Sequence, residues 1–359
     1  MKTICIDARL WGIDHTGIGR YTQNLIANLP SASGFRVVLV VAPECRDEPS
    51  LATYPKMVAR FHPYSPLAQL EMLFLFIKIR PDLVHFTHSA ITALWPGKYV
   101  VTIHDFIKHQ SKGVGTTTQT PLMYWINYLG FLFVNWMSLA RAKHIFVPSN
   151  YWKNYIHKKY NIPPAKVSVT YEAVSDTFKY LQPSAYNPRI PKPFVVHTGS
   201  LYPHKNIPVL VSAVEKLGGK VHLALVCARS VFSSRIPHSP YIHFLGRLSD
   251  ADLKAVYKKA LAYVFPSLIE GFGLPGLEAM AAGVPVIAAE ASCLLEIYED
   301  AALYFDPHNP TDLAGKIDLI LADVQLRQEL IARGKSQARK YSWVKMAQQT
   351  WQTYQGKLL

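Results

Sequence analysis

Residues 265–278 read Phe-Pro-Ser-Leu-Ile-Glu-Gly-Phe-Gly-Leu-Pro-Gly-Leu-Glu and carry the densest structural signal in the chain. The apolar run Ala262–Phe265 has the length and composition of a buried strand and delivers the chain to a loop at its carboxyl end. Gly271 and Gly273 permit tight turns and close approach of the backbone to a ligand. Pro275 suits the first position of a helix, because its missing N–H would be unsatisfied there in any case. The spacing therefore predicts a strand, a glycine-rich loop and a helix over Leu274–Ala282, with the N–H groups of Phe272, Gly273 and Leu274 forming an anion site. Glu270 and Glu278 flank that loop. Carboxylates there accept strong hydrogen bonds from sugar or ribose hydroxyls; the alternative is that Glu278 complements the helix dipole and Glu270 is loop surface.

The same alternation of apolar, Val- and Ile-rich runs with helical patterns extends in both directions. Thr3–Ile6, Arg36–Val41, Asp82–Phe86, Tyr99–Ile103 and Ile145–Val147 read as strands in the first half, with helices over Ile18–Leu29, Ala68–Ile79 and from Ser149 to Lys159. Phe194–His197, Val221–Val226, Ile242–Phe244 and Val284–Ala288 read as strands in the second half. Buried parallel strands with crossover helices follow, hence an α/β class. Residues 183–193 carry Pro183, Pro188, Pro191 and Pro193 and are read as a linker, since neither a helix nor a central strand accommodates them. The expectation is two doubly wound domains, 1–182 and 194–340, facing each other across a cleft, and a last helix from 341 to 359 that crosses back to the first domain.

Composition bounds the partners. The chain has 359 residues, half of them hydrophobic, 17% charged, with a formal net charge of +14. Such a chain buries a sizeable core and favours an anionic partner. Cys5, Cys45, Cys227 and Cys293 lie far apart, which predicts buried thiols and no metal site. No leader precedes Asp7, so a cytoplasmic location is expected. Leu122–Ala140 is rich in aromatic residues and is followed by Arg141, Lys143 and His144. It reads either as a buried helix or as one lying in a membrane interface with anionic headgroups against its cations; a true span is disfavoured.

Other candidate groups end predicted strands. Lys205 in His197-Thr-Gly-Ser-Leu-Tyr-Pro-His-Lys-Asn opens a helix, an unfavourable place for a cation unless it faces a phosphate; Gly199 allows the turn. Gly17-Ile-Gly19 follows the first strand and suits a phosphate-facing loop. No acid ends the second strand, which argues against a dinucleotide-dependent oxidoreductase. His104 and Asp105 end the Val100–Ile103 run, where a structural histidine is the ordinary alternative.

Taken together, these residues resemble the retaining GT-B glycosyltransferases of the group 1, or family 4, type, which include many bacterial mannosyl- and glucosyltransferases. The Glu270/Glu278 pair stands at the family's Glu-x7-Glu spacing. Thr16-Gly-Ile-Gly-Arg-Tyr, Thr102-Ile-His-Asp, Val147-Pro-Ser-Asn, Thr198-Gly-Ser with His-Lys-Asn, and Gly283-Val-Pro-Val-Ile extend the likeness over most of the chain. The resemblance implies a nucleotide-sugar donor: Glu278 on the ribose, Glu270 on the sugar hydroxyls, and the Phe272–Leu274 backbone and Lys205 on the sugar and diphosphate. It further implies His104 on the hexose, Gly17 and Gly19 over the phosphates, and Arg247 and Leu248 beside the base. Ser200 stands where many relatives carry arginine, which leaves more of the diphosphate charge to Lys205, with His204 or another cation assisting. Glu270, His104 and Lys205 are the candidate catalytic residues, and no metal or other cofactor is expected.

The implied activity is transfer of a hexose, mannose from GDP-mannose before a UDP-hexose, to a saccharide or lipid-linked saccharide in surface polysaccharide synthesis. Rival readings are a glycosidase using the Glu270/Glu278 pair and a nucleotide-sugar-binding relative without turnover. Nucleic-acid binding rests on charge alone and is not expected.

Overall fold

The computed structural model of the chain describes residues 1–12, 16–31, 33–110, 113, 120–227, 233 and 236–358. It separates into two compact units. One comprises Met1–Phe106, Gln119–Glu172 and Trp343–Leu359; the other comprises Ile107–Thr118 and Ala173–Ser342.

The first unit is built on β1 (Lys2–Ala8), α1 (Thr16–Ala27), β2 (Phe35–Val41), β3 (Lys56–Val58), α2 (Pro66–Ile79), β4 (Leu83–Phe86) and β5 (Tyr99–Thr102). The short α3 (Ile107–Gln110) belongs to the second unit; α4 (Pro121–Arg141), β6 (His144–Val147), α5 (Asn150–Tyr160) and β7 (Val167–Val169) return to the first. Its seven strands run in the order β3-β2-β1-β4-β5-β6-β7, and every pairing is parallel. Order reverses at β1/β4, so Asp7, Thr87 and His104 leave the carboxyl ends of adjacent strands at that switch point, where open α/β sheets bind ligands.

The second unit contains α6 (Asp176–Tyr180), β8 (Phe194–Thr198), α7 (Ile207–Lys216), β9 (His222–Val226), β10 (Ile242–Phe244), α8 (Asp250–Tyr257), β11 (Ala262–Phe265) and α9 (Leu274–Ala281). It continues with β12 (Val286–Ala289), α10 (Leu294–Tyr298), β13 (Ala302–Phe305), α11 (Pro310–Ala322) and α12 (Val324–Arg339). Its parallel six-stranded sheet has the order β10-β9-β8-β11-β12-β13, with a switch point at β8/β11. Val195, Leu223, Val264 and Ile287 lie in one core cluster with Leu210 and Val214 of α7 and Leu313 and Ile317 of α11.

The final helix, α13 (Trp343–Leu358), is grouped with the first unit. It packs on α1 and β6, and Trp351 and Tyr354 enter the core cluster of Ile4, Ile6, Leu39 and Val41. All four cysteines are buried and free.

Two expectations are corrected and one open reading is decided. The proline-rich run 183–193 is not a free linker: the Ser184 N–H bonds the Ala251 carbonyl at 3.1 Å, and Lys259 Nζ donates to the Tyr186 carbonyl at 2.9 Å. These bonds fasten it to α8 and the residues after it, and the division between units falls at Ala173. Gly17 and Gly19 lie inside the first turn of α1 rather than in a loop before it; Asp14 and His15 lie outside the described residues.

The open reading concerns α4, which is not a core helix. Leu122, Met123, Trp125, Ile126, Leu129, Phe133 and Trp136 are exposed, and burial is confined to Asn135, Ser138 and Leu139. Two rows at helical spacing therefore face outward, and the buried residues lie in the last turns.

Candidate functional site

At the carboxyl end of β11 the chain turns through Glu270 and enters α9. The Glu270 N–H is held by Ser292 Oγ at 3.1 Å, and its carbonyl accepts from Cys293 Sγ at 3.4 Å. Gly273 caps α9 at φ +99°, a left-handed conformation that glycine adopts without strain. Its carbonyl accepts from the Tyr298 hydroxyl at 2.6 Å, and a Cβ on Gly273 would lie 2.6 Å from that same oxygen. Pro275 is the second helical residue, one position later than its N–H argument suggests, because Leu274 already has helical geometry.

Lys205 does not open a helix. It ends a one-turn 3-10 helix, Pro203–Lys205, and Asn206 in the left-handed region breaks the chain before α7. The Asn206 amide donates to the Pro307 carbonyl at 2.7 Å, and the Leu268 N–H bonds the His204 carbonyl at 2.9 Å. These tethers bring the two strand-end loops together. Lys205 Nζ consequently lies 2.6 Å from Glu270 Oε1, with both side chains mostly buried. An ammonium has three donors, so a single carboxylate contact leaves capacity for further anionic oxygens.

Glu270 and Glu278 are 7% and 6% exposed, which rules out loop surface for the first and a solvated helix position for the second. Phe272 and Leu274 are buried as well, and the Phe272 ring meets Tyr341 edge-on at 5.4 Å. Their side chains are core, so they offer a ligand only backbone. Burial, and then the charge of Lys205, push His204 down to about 4. Its charged form is therefore disfavoured by its surroundings within the chain. Arg247 is exposed after β10, behind Gly246 at φ +72°.

One buried group of this site escaped the sequence reading. His197, at the end of β8, donates from Nδ1 to the Val264 carbonyl at 3.0 Å; its Nε2 is buried, has no hydrogen-bond partner among the described residues, and would lie 3.7 Å from a Cβ on Gly199.

The first unit holds His104. Its Nε2 donates to the Thr87 carbonyl at 2.9 Å, and its Nδ1 faces Glu172 Oε1 at 3.2 Å. Burial opposes protonation, but the Glu172 hydrogen bond and charge outweigh it and raise the His104 pKa. Both nitrogens are thus engaged within the unit, which is not the arrangement expected of a histidine reaching for a hexose. Beside it, Asp7 takes a two-pronged contact from Arg9, Nε to Oδ1 at 2.8 Å and Nη2 to Oδ2 at 2.6 Å, and His88 Nε2 approaches Oδ2 at 3.4 Å. Sequence reading passed over Asp7, Arg9, His88 and Glu172. The available signal was an acid and an arginine two apart at the end of a buried strand; for Glu172 there was none.

Two family descriptions match in succession. "Glycosyltransferase Family 4" matches residues 15–178, and "Glycosyl transferases group 1" matches residues 182–337. The chain belongs to the group 1 glycosyltransferases.

Among curated relatives, this glycosyltransferase is 30% identical over 234 residues to O-antigen chain mannosyltransferase B of Escherichia coli, covering 60% of this chain and 61% of that protein. It is 27% identical over 315 residues to O-antigen chain mannosyltransferase RfbU of Salmonella typhimurium, covering 84% and 82%. Among solved structures, sucrose-phosphate synthase from Thermosynechococcus elongatus superposes with a TM-score of 0.75 at 19% identity, over 99% of each chain. HepE of Anabaena, solved with UDP-glucose, gives 0.73 at 17% identity, over 99% of this chain and all of that one. These likenesses establish the GT-B fold.

Proposed function

We propose that this glycosyltransferase moves a hexose from a nucleoside diphosphate sugar to a saccharide acceptor in surface polysaccharide synthesis, with retention of anomeric configuration and without a metal. The observation that carries the reading is the Lys205–Glu270 pair beside the Gly273-capped helix. Negative charge grows on the diphosphate as the glycosidic bond breaks. Lys205 and the first-turn amides of α9 stabilise that charge in a water-poor setting, where fixed donors act most strongly. Glu270 holds the sugar hydroxyls, Glu278 the ribose, Gly199 and Ser200 border the phosphates, and Arg247 and Leu248 the base. Attack comes from the face the leaving group departs, and the released phosphate oxygen takes the acceptor proton.

Mannose from GDP-mannose is the favoured donor, because the relatives above are named as O-antigen mannosyltransferases; a UDP-hexose is the second choice. Thermal-shift titration with GDP and UDP tests the reading. A shift with one of them, lost in Lys205→Ala, supports it, and no shift with either overturns it.

We further propose that the acceptor is lipid-linked and that the protein works against an anionic bilayer surface. Phe76 of α2 packs on Phe86, the Tyr99 hydroxyl donates to the Met137 carbonyl of α4 at 2.9 Å, and the Phe86 and Tyr99 rings meet at 5.5 Å. Both helices therefore cover one face of the sheet. Outward they present Leu67, Leu70, Phe74 and Ile77 on α2 and the exposed row of α4, with Lys78, Arg80, Arg141 and Lys143 at their ends. An apolar layer rimmed by cations suits anionic lipid. Among the described residues no helix is long and apolar enough to cross a membrane.

A further inference from the structure

A cavity of about 550 Å³ in the first unit is lined from α5, α13, β6 and β7. His144, at the start of β6, and Ser168 of β7 lie on the sheet; Lys153 comes from α5, and Gln349, Gln352 and Lys357 come from α13. None of these residues belongs to the donor-binding set above. Among the described residues, two lysines and no acid line the cavity, and neither ammonium group has an ion pair or a hydrogen bond. The neighbouring Lys166 differs. Its Nζ donates to the Leu139 and Ala140 carbonyls at 3.0 and 2.9 Å, so the chain itself engages it.

His144 supplies an independent observation. It is 5% exposed; its Nε2 meets Ser168 Oγ at 2.8 Å, and its Nδ1 is buried with no hydrogen-bond partner among the described residues. Burial, and then the charges of Lys357, Lys153 and Lys166, push its pKa down to about 4. Three ammonium groups thus act on one desolvated imidazole, with no carboxylate among the lining residues to offset them. Like charges held together in this way are unfavourable, and an anion in the cavity relieves them. The lining also decides which anion. No arginine offers the planar, two-pronged contact that suits a carboxylate. Point-charge lysines with amide and hydroxyl donors around them suit the several oxygens of a phosphate.

We infer that this cavity binds a small phosphate-bearing anion, held by Lys153 and Lys357 with the Gln349 and Gln352 amides donating beside them, and that the anion bridges α5 to α13. Trp351 and Tyr354 of α13 complete the core of the first unit, so a ligand that fastens this helix stabilises the folded chain by mass action. A free phosphate ester and a lipid headgroup present the same oxygens, and the experiment separates them. The inference stands independently of the transfer reading.

The test follows the His144 ring by NMR in the full chain carrying isotope-labelled histidine, its resonance assigned by loss in His144→Gln. The probes are glycerol phosphate, dihexanoyl phosphatidylglycerol below its micelle concentration, succinate as the carboxylate and glycerol as the neutral compound. Glycerol phosphate or the short lipid should displace the resonance saturably; glycerol should not, and succinate should bind at least fivefold more weakly. A response to the short lipid assigns a headgroup, and a response to glycerol phosphate alone assigns a free ester. Lys153→Gln and Lys357→Gln alter side chains outside the core, and each should weaken binding at least fivefold and reduce the thermal shift given by the same probe. No saturable displacement by either phosphate compound, an equal response to succinate, or unchanged affinity in both lysine variants overturns the site. Lys205→Ala should leave this titration unchanged while losing the GDP or UDP thermal shift, so the two readings fail separately.

Discussion

His104 faces hydrogen-bond acceptors at both ring nitrogens, the Thr87 carbonyl and the Glu172 carboxylate, an arrangement that favours its protonated form. Its folded pKa is raised, so the folded chain binds this proton more tightly than the unfolded one. The associated stability is complete below the ordinary histidine range near 6.5 and fades as pH climbs through the raised value. Burial works the other way on His85, near 3, and on His144 and His197, near 4; these lose stability as pH falls below about 6.5. Denaturant midpoints should therefore rise from pH 4.5 to 6.5. Glu172→Gln should abolish the further pH dependence that His104 contributes above 6.5; an unchanged upper limb in that variant contradicts the pairing.

Lys205→Ala and Glu270→Gln should lower transfer by about 100- to 1000-fold, the usual effect of removing one donor to a developing oxyanion or its partner. Both chains should keep their far-ultraviolet dichroism, because the pair ties two loops at a strand edge and is not part of the core. Retained transfer at a tenth of the parent rate or more would count against the assignment.

Gly273→Ala places a methyl against the Tyr298 hydroxyl in a left-handed backbone. We expect a loss of about 1–3 kcal/mol in urea unfolding. Adding Tyr298→Phe removes the clashing oxygen and should recover part of it; no recovery would place the strain in the backbone alone.

Flotation with vesicles containing phosphatidylglycerol should retain the parent protein at low salt. Replacing Leu70, Phe74, Phe133 and Trp136 together by serine should release it, while the same vesicles without anionic lipid should bind the parent weakly. Equal flotation of parent and variant would remove the bilayer from the proposal.

Much of this architecture was readable in one dimension. Runs such as Val38–Val41 and Ala262–Phe265 are buried on both faces, so their apolar character is unambiguous, and the glycine-bounded loop before α9 announces itself. The reading faltered where tertiary contacts override local signals. The prolines of 183–193 cannot join a helix, yet their neighbours bond to α8 and its following turn. Lys205 lies in a 3-10 turn because Asn206 adopts positive φ. The face of α4 was undecidable, since aromatic residues circle most of the helix and only the packed structure shows which of them meet protein. Glu172 acquires its partner, His104, from another strand end, which periodicity does not report.

Trp351 and Tyr354 enter the core of the first unit although they follow the whole of the second unit in the chain. During synthesis the second unit, which runs through Ser342, has all its strands outside the ribosome before the first can complete its interior. The amino-terminal unit must therefore wait, with its α13-facing apolar surface uncovered, for translation of the carboxyl-terminal helix. That reverses the ordinary vectorial order in which the earlier domain matures first.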